Sequence, residues 1–90
     1  MTLIVRQGSR FKKDYKRILK QNRDLSNFIE VITKLSNKEP LDQKYHDHQL
    51  SGILKQYRDC HIAPDLILIY SVTDKEIILT RLGSHSELFR

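Results

Sequence analysis

Ninety residues with 16 Lys and Arg against 11 Asp and Glu give a small chain of formal net charge +5. Such a chain is expected to form one domain over residues 1–90, burying about 60–65% of its unfolded surface. Hydrophobic residues at 39% exclude a disordered chain, the lone Cys60 excludes an internal disulfide framework, and no apolar run approaches the roughly 20 residues of a membrane span.

Leu3, Ile4 and Val5 make a short, largely β-branched run stopped by Gln7, Gly8 and Ser9, and predict a first strand. Ser9 is placed to cap a helix whose apolar residues Phe11, Tyr15, Ile18 and Leu19 recur at helical spacing. Lys13, Lys16, Arg17 and Lys20 fall on the opposite face. Asn22 and Arg23 break the pattern, and Asp24 is placed to cap a second helix with the apolar face Leu25, Phe28, Ile29, Ile32 and Leu35. Pro40 stops it near Lys38. A short break between two helices predicts an antiparallel hairpin.

From Glu39 to Gln56 no period holds, and so long an irregular stretch is more often functional than accidental. Tyr57 to His61 alternates weakly, as a strand does. Asp65 to Val72 is strongly apolar, as a central strand would be. Residues 73–76 form a turn, and Ile77 to Leu82 is the last strand, ended by Gly83. The predicted class is therefore α+β in the order β-α-α-β-β-β. The helix hairpin would lie on one face of a mainly antiparallel four-stranded sheet. The other face would be free to bind something.

The residues that carry chemistry are His48, His61, Asp65 and His85, all in loops or beside strands. Imidazole titrates near neutral pH, so several histidines in a small basic domain suggest proton transfer on an anionic substrate, with RNA the first candidate. The 2′-OH is RNA's own nucleophile. Cleavage without a metal needs a group to take its proton, cations to neutralise the phosphorane-like transition state, and an acid for the leaving 5′-oxygen. Arg81, Lys55 and Arg58 are candidate cations, and Phe89 could stack on a base or fill the core. His85 is assigned as acid and His48 as base. His61 and Asp65 would hold phosphate or sugar, with Asp65 orienting an imidazole, although the roles could be exchanged among the three histidines. His46 is expected to be exposed. Tyr57 and Tyr70 are expected in the core or at an interface. The stripe Lys13, Lys16, Arg17 and Lys20 is either a solvated face or a contact for rRNA phosphates or an acidic partner. His46, His48, Cys60 and His61 do not have zinc spacing, and adjacent Cys60 and His61 on a strand point to opposite sides, so no metal and no other cofactor are expected.

Four segments in order carry a resemblance to a known family. They are Lys44-Tyr45-His46-Asp47-His48-Gln49-Leu50-Ser51-Gly52, Tyr57-Arg58-Asp59-Cys60-His61-Ile62-Ala63-Pro64-Asp65, Leu68-Ile69-Tyr70, and Arg81-Leu82-Gly83-Ser84-His85-Ser86-Glu87-Leu88-Phe89. With the β-α-α-β-β-β order, the chain resembles the RelE/ParE superfamily of type II toxin–antitoxin toxins, and within it the YafQ-like branch. The resemblance implies a cytoplasmic mRNA endoribonuclease that acts in the ribosomal A site and is silenced by a cognate antitoxin. It also implies functional roles for His48, His61, Asp65, His85 and Phe89. The chain departs from the family in having Gln49 where proline is common, and Leu54 and Leu66 where tryptophan often occurs. Neither change removes a titratable group. A ParE-type gyrase poison shares the scaffold but needs no histidine cluster, and a non-catalytic RNA-binding regulator would need the basic helix and not the histidines.

Overall fold

The computed structural model describes residues 2–89. Strand β1 (Ile4–Gln7) leads into helices α1 (Ser9–Leu19) and α2 (Ser26–Ser36). After a long connection come β2 (His48–Gln49), β3 (Arg58–Ala63), β4 (Leu66–Val72), β5 (Glu76–Gly83) and the one-turn helix α3 (His85–Leu88). The sheet order is β1-β5-β4-β3-β2. β1 runs parallel to β5, and every other pair is antiparallel. The α+β class and element order are as expected, but the sheet has five strands and not four. The extra strand, β2, has two residues, too few for any alternation to show in the sequence.

The stretch from Glu39 to Gln56 is likewise more regular than its sequence suggests. It holds one 3-10 turn before β2 (Gln43–Tyr45) and one after it (Gly52–Leu54). Tyr45 anchors the first: its ring is buried and its phenol donates to the Glu30 carboxylate of α2. Burial, with Glu30 alongside, pushes that phenol up to about 12.

The helices bury narrower stripes than expected. Phe11, Asp14 and Ile18 are buried on α1, and Phe28 and Val31 on α2. Leu19 and Ile29, expected on the buried faces, are 51% and 61% exposed. Each lies one residue, about 100° of helix rotation, beyond the buried stripe. The helices meet through Phe28, whose ring stands 6.1 Å from Phe11 and 5.6 Å from Tyr15. Gly8, not Ser9, occupies the cap position of α1, without a side-chain bond. Likewise Leu25, not Asp24, occupies the cap position of α2, although Asp24 just before it accepts the Ser26 N–H at 2.9 Å. At the end of α2, Lys38 turns left-handed (φ 59°), and the Glu39 and Lys38 N–H groups return to the Lys34 and Leu35 carbonyls. This double closure satisfies the last carbonyls and ends the helix before Pro40.

Strand alternation divides the sheet into two faces. Cys60, Ile62, Leu66, Leu68, Tyr70, Ile77, Leu79 and Leu82 join Phe11, Ile18, Phe28 and Val31 in one buried cluster. The intervening residues Asp59, His61, Ile67 and Ile69 face away from the helices. That second face is not open throughout, as the sequence had suggested. Ile67 is 2% and Ile69 8% exposed, and Ile69 shares a groove of about 230 Å³ with Leu50, Leu54, Tyr57, Leu88 and Phe89. The connection after β2 and the C-terminal tail thus close its centre. Among the described residues no helix is long and apolar enough to cross a membrane.

Candidate active site

The register of the sheet gathers the histidines. β2 pairs His48 with Asp59, and β3 pairs Asp59 with Ile69 and His61 with Ile67. β4 in turn pairs Ile69 with Arg81 and Ile67 with Gly83. Opposed residues share a face, so His48, Asp59 and His61 stand together, and β5 delivers its last residue, Gly83, to the same row as His61. Ser84 then caps α3. Its hydroxyl accepts the Glu87 N–H at 3.3 Å, and its N–H donates to Glu87 Oε1 at 2.8 Å. This reciprocal cap starts α3 at His85 and sets the tail's direction. The fold-back brings the Glu87 and Arg17 side chains close over Gly83, where a Cβ would sit 3.0 Å from Glu87 Oε1 and 3.1 Å from Arg17 Nη2. His85 packs its ring 5.0 Å from that of Phe89.

Asp59 lies at the centre of this arrangement, and sequence reading passed over it. It is 4% exposed. Burial pushes its carboxyl above the usual range, and the charges of His48, His61 and His85 all pull the other way. One buried carboxylate therefore senses three imidazoles. His48 is nearest, with Nδ1 3.1 Å from Asp59 Oδ1 and 2.8 Å from the His46 carbonyl oxygen. Of the two oxygens, the His46 carbonyl is the nearer to Nδ1. A carbonyl can only accept, so a neutral His48 ring carries its proton on Nδ1 and leaves Nε2 with the lone pair. His46 is exposed, as expected, but its ring meets His61 edge-on at 5.8 Å.

The remaining predicted site residues are dispersed. Asp65 lies with Pro64 in the exposed turn between β3 and β4, and the carboxylate beside a histidine is Asp59. Arg58 sits one residue from Asp59 and therefore on the helix side of β3. It donates to Asp47 at 3.1 and 3.3 Å, and Tyr70 donates to the same carboxylate. Arg81 is held by Asp14 of α1, with Nε 2.8 Å from Oδ2. Asp14 also accepts the Leu82 N–H at 3.0 Å, at a level of β5 that β1 no longer reaches. Arg17, expected on the solvated stripe, joins this cluster. It donates to Asp14 Oδ1 at 3.1 Å and to the Leu82 carbonyl at 3.2 Å, and Nε stands 3.4 Å from Glu87 Oε2. Burial alone would raise the Asp14 carboxyl, but bonds from Arg81, Leu82 and Arg17 hold it below the usual range. Lys13, Lys16, Lys20 and Lys55 are exposed.

Phe89 is half-buried and lines the groove with Tyr57, Leu54 and Ile69. Cys60 faces the core, and burial pushes its thiol up to about 12, which makes it a packing residue and not a nucleophile. Among the described residues no three His, Cys, Asp or Glu side chains gather as a metal-holding group.

The family model for the bacterial toxin YafQ of type II toxin–antitoxin systems matches residues 3–90. The mRNA interferase toxin YafQ of Escherichia coli strain K12 is 40% identical over 86 residues, covering 94% of both chains. Among solved structures, a copper-bound mutant toxin from Helicobacter pylori is 49% identical with a TM-score of 0.93, over 97% of this chain and 99% of that one. The toxin chain of the E. coli DinJ–YafQ toxin–antitoxin complex is 37% identical with a TM-score of 0.90, over 100% of both chains.

Proposed function

The chain belongs to the YafQ family of mRNA interferase toxins from type II toxin–antitoxin systems, and from that premise we propose that it cleaves mRNA on the ribosome by histidine acid–base catalysis. The observation that carries this reading is His48 Nδ1 standing 3.1 Å from the buried Asp59, with His61 two residues along β3 on the same face and His85 starting α3 just beyond Gly83. His48 Nε2 takes the 2′-OH proton, and the freed 2′-oxygen attacks the adjacent phosphorus. His85 gives a proton to the 5′-oxygen as its bond to phosphorus breaks. The products are a 2′,3′-cyclic phosphate and a 5′-OH. Asp59 offsets the charge that His48 gains as it becomes imidazolium. His61 holds the phosphate from the adjacent row of the sheet. Phe89 supports a base by stacking, and Arg81 and Lys55 contribute positive potential near the groove. Arg58 acts from the opposite side of β3, through Asp47.

The site is shallow and has few side chains able to read bases, so orientation of the flexible RNA falls to the ribosome. The exposed Lys13, Lys16 and Lys20 suit rRNA phosphates, or an acidic segment of a cognate antitoxin, the partner class that DinJ represents for the E. coli relative. The test is cleavage of one mRNA, free and on programmed ribosomes, with the new ends identified chemically. Cyclic phosphate and 5′-OH ends that appear only with ribosomes are expected. Equal cutting of free RNA would overturn the ribosome dependence, and 5′-phosphate ends would overturn the 2′-OH route.

A further inference from the structure

Beside His61 lies a second cleft of about 430 Å³ lined by Asn27, Lys44, His46, His61, Ala63 and Pro64. Resting on the endoribonuclease reading above, we propose that this cleft is a nucleotide subsite. In it the His46 ring supports the base of one of the two nucleotides flanking the scissile phosphate, and Lys44 neutralises the next phosphate along the strand.

Three observations carry the assignment. The first is continuity: His61 shares a face of β3 with Asp59 and also forms part of the wall of this cleft, so a strand with its scissile phosphate at His61 has a neighbouring nucleotide within reach of it. The second is the placement of His46. Its ring meets His61 edge-on at 5.8 Å, which leaves the exposed His46 face free to stack. Aromatic faces accept any base, because every base has a π-face. The third is backbone conformation. His46 is held left-handed, with φ 49°, a state uncommon for a residue other than glycine. The Gln43–Tyr45 turn before it and the His48 contact to its carbonyl fix this geometry. Asp42 Oδ1 secures the turn by accepting the Lys44 N–H at 2.9 Å, which leaves the exposed Lys44 side chain on the cleft wall. An RNA strand fits better than an acidic protein segment, because the stacking face and the cation are contiguous with the groups assigned to RNA chemistry.

His46 is a good residue to test because its two roles separate. His48 uses the His46 carbonyl, which every substitution keeps, so a loss of activity reports the ring. Asparagine tolerates the left-handed conformation, so His46→Asn removes the ring with little backbone strain. Lys44→Ala tests the cation at a residue that is not left-handed. The experiment is single-turnover cleavage on programmed ribosomes with three mRNAs: unmodified, or abasic on one or the other side of the scissile phosphate. His46→Asn should slow cleavage of unmodified mRNA about tenfold or more, the range of one base–aromatic stack. One of the two abasic substrates should slow the wild type similarly and show no further loss with His46→Asn. Lys44→Ala should weaken binding of all three substrates and reduce its dependence on salt. Equal losses for His46→Asn on all three substrates, or none on any, would overturn the subsite while leaving the endoribonuclease reading standing. The same holds if both variants cleave normally but bind the antitoxin less well. Failure of the wild type to cut ribosome-bound mRNA would overturn the endoribonuclease reading and, with it, the subsite.

Discussion

The two faces of the sheet are built from the same strands, yet they are opposites. On β3 the even positions Arg58, Cys60 and Ile62 turn towards the helices, and the odd positions Asp59 and His61 turn away. The helix-side face carries a nearly continuous apolar layer. The opposite face buries Ile67 and Ile69 but also the Asp59 carboxylate, whose Oδ1 has no hydrogen-bond donor among the described residues. The first face holds the fold together. The second gives up stability at Asp59 to keep a negative charge among imidazoles, as functional sites commonly do. A one-residue slip of register would exchange the two roles, so the bulge between His61 and Ala63 falls beyond the last chemical residue of β3.

Substitutions on the two faces should therefore separate activity from stability. The largest effect on activity is expected from His85→Ala. A positioned acid or base contributes roughly 10²–10⁴-fold, about 3–5 kcal/mol of barrier. Because His85 is exposed on a one-turn helix, the thermal midpoint should stay near wild type. Single-turnover cleavage beside a melt reads both, and a collapsed melt would assign His85 to the fold instead.

Asp14→Ala should do the reverse. It leaves Arg81 and the Leu82 N–H without their acceptor, and breaking such a buried pair costs about 3–5 kcal/mol. The Asp14 carboxyl is held below its ordinary value, so its contribution is fully present above the unfolded value near 4 and is lost as pH falls through the folded one. Melts from about pH 5 down to pH 2 should show a steeper loss for wild type than for Asp14→Asn, and parallel curves would contradict this. On the packed face, Leu68→Ala should cost about 2–5 kcal/mol in denaturant unfolding, with the cleavage rate per folded molecule unchanged.

Asp59→Asn sharpens the comparison with a smaller shift of opposite sign. The Asp59 carboxyl is raised, so its ionised form opposes folding at neutral pH, and that cost fades as pH falls through the folded value. The amide should leave the melting midpoint at pH 7 unchanged or higher by a few degrees, on the scale of about 1 kcal/mol, while cleavage slows. A large drop in the midpoint would show that Asp59 is a structural ion-pair partner.

The sequence made the repetitive parts of the molecule legible and left the non-local contacts hidden. Helical spacing located α1 and α2, and strand alternation already set Cys60 and His61 on opposite sides. The three histidines stood out because imidazole is rare and each lay at an element's edge. Asp59 was passed over because it reads as one more polar residue in a weakly alternating strand, while the histidine–aspartate spacing drew attention to Asp65. Only the pairing of β2 with β3 brings Asp59 to His48, and a two-residue strand leaves no periodic trace. Arg17 and Arg81 read as free cations because their shared partner Asp14 sits on α1, 67 residues before Arg81. Helical spacing set Arg17 on the solvated face, and only the packing of α1 on β5 turns its guanidinium to Asp14, the Leu82 carbonyl and Glu87.

The central claim is that His48 acts as base and His85 as acid across one phosphate, and the pH dependence of single-turnover cleavage tests it most directly. Wild type should give a bell, rising as the base loses its proton and falling as the acid does. His48→Ala should lose the rising limb and keep the falling one, and His85→Ala should do the opposite. Variants that keep both limbs, or that cut at near wild-type rates, would contradict the assignment.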